Sequence, residues 1–283
     1  MGKISEKLRT RGPKIGFCVI CSDYGELTHD HIPPKGSTKI TAVEMRTLTQ
    51  HISKETTKFR ESLNGVKFRT ICQKCNNERL GHEYDPHLNK ISKEVSSVVH
   101  AVYESKILLP PRLSVTVSPQ RVARSIVGHV LASIMPTDIN VPPISAPFPD
   151  AMRQYFLDPK RPLPDSLEIY YWVYPSNQQT IIRGAAVGSL NPTRFIMGDI
   201  IKFYPLAYWL VWERPHDAVV PFEQLLPNKT VGLDEKWEIF VTLRDIPSVQ
   251  WPESPNSKGL LIFRDESTAV SRPKSNKPIN PTP

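Results

Sequence analysis

Residues 17–36 read FCVICSDYGELTHDHIPPKG, and residues 70–85 read TICQKCNNERLGHEYD. These two stretches hold all four cysteines of the chain, as the pairs Cys18/Cys21 and Cys72/Cys75. A Cys-x-x-Cys turn lets two sulfurs converge on one ion, and four thiolates close a tetrahedral structural zinc site. Two such turns far apart in sequence would staple two segments together. The competing readings are a redox pair or four ordinary buried thiols. Two redox pairs side by side would be unusual, and scattered thiols would not fall into two matched pairs. The distance between the pairs exceeds that of a compact ribbon, which implies an insertion between the two halves of the site.

Working outward from these motifs, residues 1–16 read as a polar, basic arm. FCVI and FRTIC look like strand ends running into the two turns. The stretch TAVEMRTLTQHISKETTKFRESLN, residues 41–64, reads as helical or partly helical. After Cys75 the chain can carry helices, with Gly81 and Pro86 as interruptions. From residue 110 the character changes. RLSVTVS reads as a strand, and PQRVARSIVGHVLASIM as a helix with Ser118 as N-cap and Pro119 at its first position. The segments SLEIYYWVYP, QTIIRGAAVGSL, TRFIMGDIIKFYP, AYWLVWERP and KWEIFVTLRDI are rich in β-branched and aromatic residues between Pro, Asn, Gly and Ser, the pattern of antiparallel strands. The expected class is therefore α+β: a zinc-stapled motif domain over 17–105, an α+β domain with a mostly antiparallel sheet over 110–250, and a Pro/Ser/Lys-rich tail over 251–283.

The 283 residues carry a formal charge of +8, unevenly spread. Residues 1–100 hold 17 Lys and Arg against 11 Asp and Glu, and the remainder 19 against 17. A basic first third suits a polyanionic partner; a basic, merely solvated surface is the alternative. No apolar run is long enough to cross a bilayer, and the basic N-terminus lacks the apolar core of a secretory signal. A cytoplasmic protein without a membrane partner is expected.

Between the cysteine pairs stands His29-Asp30-His31, followed by Ile-Pro-Pro-Lys. A cysteine turn, then Asp-His-x-x-Pro, then a second turn followed directly by asparagine resembles the HNH endonuclease family, over about residues 15–90. The resemblance implies a ββα-metal finger on a four-cysteine, treble-clef-like zinc scaffold, and metal-dependent hydrolysis of DNA. It implies His31 as the general base, and Asp30 and Asn76 as ligands of a catalytic Mg2+ or Mn2+ beside the structural zinc on Cys18, Cys21, Cys72 and Cys75. It also implies service in restriction or phage defence, beside a sensor or ATPase partner protein. The family's middle asparagine has its nearest candidate in Asn64, which comes early. Asn77, His82, Glu83 and Asp85 lie close enough to supply a further ligand, and Lys35, Lys39, Lys74 and Arg79 flank the motifs as phosphate contacts. Adjacent strand residues point to opposite faces, so Asp30 and His31 converge on one site only with a local bulge or twist. The rival reading is a non-catalytic zinc module that binds nucleic acid or a protein. His129, on an apolar helix, reads as a packed histidine, and Tyr208, Trp209 and Trp212 as sheet core.

Overall fold

The computed structural model describes residues 12–52, 60–104, 108, 110–135, 141–190, 193–254, 259–263 and 269–274. Most of the basic arm and the last nine residues of the tail lie outside the described residues.

The first strands are β1 (Ile15–Phe17) and β2 (Tyr24–His31). The chain then runs through β3 (Val43–Thr47), the short helix α1 (Leu48–Ile52), β4 (Arg60–Ser62) and β5 (Lys67–Cys72). A π-helix over Lys74–Tyr84 passes directly into α2 (Asp85–Tyr103). Next come β6 (Arg112–Val117), α3 (Pro119–Ala132) and α4 (Pro147–Leu157). The long strands are β7 (Glu168–Val173), β8 (Gln179–Leu190), β9 (Thr193–Phe203) and β10 (Leu206–Glu213). They are followed by β11 (Glu223–Gln224), β12 (Trp237–Thr242), β13 (Leu260–Ile262) and β14 (Ala269–Pro273).

The result is a mixed α/β fold whose named strand pairs are all antiparallel. A small sheet has the order β1-β2-β5, and β12 pairs β6. A nine-stranded sheet runs β11-β7-β10-β9-β8-β14-β3-β4, with β13 also on β8. The segments expected as strands in 112–242 are strands, because each carries enough β-branched and aromatic surface to fill a pleated layer. The capping of α3 is as expected: Ser118 Oγ accepts from the Arg121 amide at 3.2 Å, and Pro119 occupies the first turn.

Three expectations change. Residues 41–64 are not mainly helical. Val43, Met45 and Thr47 alternate inward and pair with β14, a partner more than 200 residues away that no local propensity could announce. Residues 53–59 of that stretch lie outside the described residues. Gly81 and Pro86 do not interrupt the helices. Pro86 sits in the first turn of α2, where a missing N–H costs nothing, and the Asp85 amide reaches back five residues to the Leu80 carbonyl. The described parts of the tail, residues 251–254, 259–263 and 269–274, finally, pack into the body. Trp251 packs against Trp172 and Trp209, the buried Lys202 holds Glu253 at 2.5 Å, and Val270 is fully buried.

The motif region and the following α+β region therefore share a sheet and a core. One apolar cluster runs from Val19, Ile20 and Leu80 to Ile126, Phe156 and Tyr208. Gly128 makes its centre possible: a Cβ there would lie 2.5 Å from Phe156 and 2.6 Å from Leu80, so only glycine lets α3 press against α4 and the π-helix. This contact sets the depth of its neighbour, His129. Among the described residues no helix is long and apolar enough to cross a membrane.

Candidate metal centre and the adjoining histidine strand

The first cysteine pair lies in the turn between β1 and β2. Ser22 takes φ 64°, and this left-handed step lets the turn fold back, with the Cys18 amide donating to the Asp23 carbonyl and the Ser22 amide to the Cys18 carbonyl, both at 2.9 Å. Cys72 ends β5, and Cys75 stands in the first turn of the π-helix. The Cα register of β2 and β5 slips at Thr70, opposite the Thr28–His29 step. The Thr70 carbonyl accepts from the Val19 amide at 2.9 Å, which ties the first turn to the second strand.

The four sulfurs lie within 4.8 Å of one another, and Cys21 Sγ is 3.7 Å from Cys72 Sγ. A disulfide would need about 2.05 Å. A zinc tetrahedron with Zn–S bonds near 2.3 Å has edges of about 3.8 Å. The thiols are free and their spacing fits one such ion. The crowded sulfurs share their protons unequally. Hydrogen bonding with Cys21 pulls Cys18 down to about 7, and that with Cys18 lowers Cys72 and raises Cys21 and Cys75. A divalent cation stabilises all four as thiolates and displaces the remaining protons.

Beyond this centre, β2 carries the histidine cluster, and the alternation of the strand divides it. Asp30 faces the core at 4% exposure. His29 and His31 take the opposite face, across from Arg69 and Lys67. The Arg69 guanidinium, which has only donors, gives hydrogen bonds to His29 Nε2 at 3.2 and 2.7 Å. His31 is half-buried, and the Asn64 backbone hydrogen-bonds its ring. Burial first, then the charges of Lys35 and Lys67, push its pKa down to about 4, so the ring is neutral at physiological pH.

No known family model, curated protein or solved structure matches this chain.

Asp30 meets an unexpected partner. Its Oδ2 lies 2.8 Å from His129 Nδ1, and His129 Nε2 lies 3.0 Å from Asp85 Oδ1. Ser125 Oγ donates to the same Asp85 oxygen at 2.7 Å. Burial alone would lower the pKa of the His129 ring, but the two carboxylates outweigh it and raise it to about 10. Burial raises the Asp30 carboxyl as well, against the pull of the His129 charge; with the proton on the ring, both ring nitrogens donate and His129 is an imidazolium between two acids. It is packed, as its sequence context indicates, but it is also a charged hub.

Asn76 turns its amide nitrogen to Thr28 Oγ1 and the His29 carbonyl, at 2.9 and 3.0 Å. It fastens the π-helix to β2. With Asp30 buried against His129, its carboxylate is not open to a catalytic Mg2+ or Mn2+ held between Asp30 and Asn76. Among the described residues, only the four cysteines bring three or more His, Cys, Asp or Glu ligand atoms all within 4.8 Å of one another. Of the flanking cations, Lys35, Lys39 and Lys74 are exposed. Arg79 instead donates to the Leu157 carbonyl at the end of α4, at 2.7 Å. His82 and Glu83 are exposed, while Asp85 joins His129. Lys67 and Arg69 are the cations that sequence reading missed. Once β5 is paired with β2, strand alternation places them beside the histidines.

Proposed function

We propose that the chain is a zinc-stapled, HNH-type endonuclease that hydrolyses DNA phosphodiester bonds, with His31 as its general base. The observation that carries this reading is the setting of His31: a neutral imidazole at the end of a strand, held by the Asn64 backbone and flanked by Lys35 and Lys67. A neutral imidazole can take a proton from water attacking a phosphorus, and ammonium groups on either side can hold the phosphate being attacked. The hairpin of β2 and β5 followed by a helix, with cysteines in the preceding turn and the first helical turn, supports a treble-clef-like ββα frame. The zinc in this reading is structural. The charge on the scissile phosphate is met by the lysines and by Arg69.

His31→Ala is expected to lower cleavage of supercoiled plasmid by about 10²- to 10⁴-fold while leaving zinc content and melting temperature unchanged. Wild-type cleavage that survives the substitution would remove His31 from the mechanism.

The pH profile follows from the same site. His31 must be neutral to act, and its pKa in the folded chain is about 4. The acid limb of kcat/KM should therefore lie near pH 4 rather than near the ordinary histidine value of about 6.5. Lys67→Met removes a positive neighbour and should move that limb upward by about one unit or less, since burial is the larger cause. An acid limb at 6.5 in the wild type would contradict this environment for His31.

One observation favours a second reading, a zinc module that binds nucleic acid without cutting it. Asp30, the family's ion ligand, is committed to His129. That reading expects DNA binding that survives both Asp30→Ala and His31→Ala, with no cleavage by any of the three chains.

A further inference from the structure

A cavity of about 540 Å³ opens between the first turns of α3, the loop after α4 and residues 230–233. It lies within the size range of small-molecule sites, roughly 300–1,000 Å³. Its wall contains Arg124, Lys160 and Arg161 and no acidic side chain. Pro159, Pro162, Val231 and Leu233 supply apolar surface beside these cations.

Arg124 is the informative residue. Its side chain is almost fully enclosed, with the residue 1% exposed. Buried cations are ordinarily matched by a carboxylate. Among the described residues none lies within ion-pair distance of Arg124. Its terminal nitrogens donate to the backbone carbonyls of Tyr155, Pro159 and Arg161, its guanidinium stacks 4.0 Å above the Tyr155 ring, and its Nε has no partner. The carbonyls at the end of α4 supply partial negative charge, not a full counter-charge. A buried guanidinium with no ion-pair partner, its nearest carboxylate influence being Asp158 at the end of α4, thus stands at the wall of a ligand-sized cavity whose other charged lining residues are also positive.

We infer that this cavity is a binding site for an organic phosphate of nucleotide size, whose phosphates lie against Lys160, Arg161 and the field of Arg124 and whose ring system lies against the proline, valine and leucine wall. The apolar wall and the volume select an organic anion over a bare oxyanion. The site is independent of the histidine strand, so it stands or falls apart from the nuclease reading.

The test is calorimetric titration of the 283-residue chain with ATP, with AMP and with inorganic phosphate, without added divalent metal. Arg124 also holds the end of α4, so its replacement could unfold the chain, and the variant of choice is Lys160→Glu/Arg161→Glu. Both residues sit on the loop after α4; Arg124 bonds the Arg161 backbone rather than its side chain, and the Arg161 side chain makes an exposed bond to Gln154 Oε1. The expected result is saturable binding of ATP or AMP by the wild type, weakened tenfold or more in the double variant, with equal melting temperatures in the absence of nucleotide. Absence of saturable binding up to about 1 mM of either nucleotide, or equal affinity in the double variant, overturns the assignment. Inorganic phosphate binding as tightly as the nucleotides overturns the organic part of it.

Discussion

A Cys72→Ser chain is expected to carry no zinc and to melt about 10 °C or more below the wild type. Cys72 closes the cluster from the end of β5, with its sulfur 3.7 Å from that of Cys21. Serine offers a neutral, poorly ligating hydroxyl and leaves three crowded sulfurs behind. In zinc-finger peptides, which have almost no other core, structural zinc supplies on the order of 10 kcal/mol. This chain has a large core, and Cys18, Val19, Ile20 and Cys75 are buried in it. The loss should therefore appear first as opening of the turn over residues 18–23 and of β1, and only then as a lower global stability. Zinc per chain, melting temperature and limited proteolysis within residues 18–23 measure the three parts. A variant that keeps its metal and its melting temperature would refute the staple. One that loses the metal but keeps both the melting temperature and protease resistance would show that the ion binds without holding the fold.

The features legible in the sequence were those whose cause is local. The cysteine spacing announced a four-sulfur cluster because a Cys-x-x-Cys turn is a local geometry. Ser118-Pro119 announced the start of α3 for the same reason, and β7 to β10 carry their own strand chemistry. β3 and β14 were illegible because each is paired with a distant piece of chain, β14 lying between β3 and β8. Their short apolar alternations, Val43-Met45-Thr47 and the Val270 segment, become strands only when two distant pieces of chain meet. The candidate site divides the same way. Alternation along β2 was enough to say that Asp30 and His31 point apart. Which of the two faces the core depended on α3, and nothing in residues 17–36 could say that. His129 was legible as a packed residue but not as a partner, since Asp30 lies 99 residues before it and Asp85 44 before it.

His129→Leu should cost about 3–5 kcal/mol of stability, the range for breaking a buried ion pair by removing one member. The leucine fills space but leaves Asp30 facing Asp85 across the former imidazolium, with Asp30 almost without solvent. Part of the loss should be recovered when the orphaned charge is also removed. Asp30→Asn/His129→Leu is therefore expected to be less destabilised than the sum of the single variants, and the double-mutant cycle in urea reads the coupling. Additive losses would mean that the two side chains, 2.8 Å apart, do not act as a pair. The pH dependence adds an independent check. The folded ring holds its proton up to about pH 10, whereas an unfolded histidine sheds it near 6.5. The folded state thus binds more protons between these values, so the stabilisation is complete below about pH 6.5 and declines as the pH rises through about 10. Wild type should lose stability more steeply than His129→Leu over that window. Parallel curves would mean that the folded Asp30–His129–Asp85 group holds no extra proton above about pH 6.5. The pair matters for the nuclease reading because Asp30 and His31 are adjacent on one strand: the bond that anchors Asp30 to α3 also fixes the outward direction of His31 toward Lys35 and Lys67. If that is its role, His129→Leu should slow cleavage chiefly through kcat, while leaving zinc content and the acid limb of kcat/KM in place.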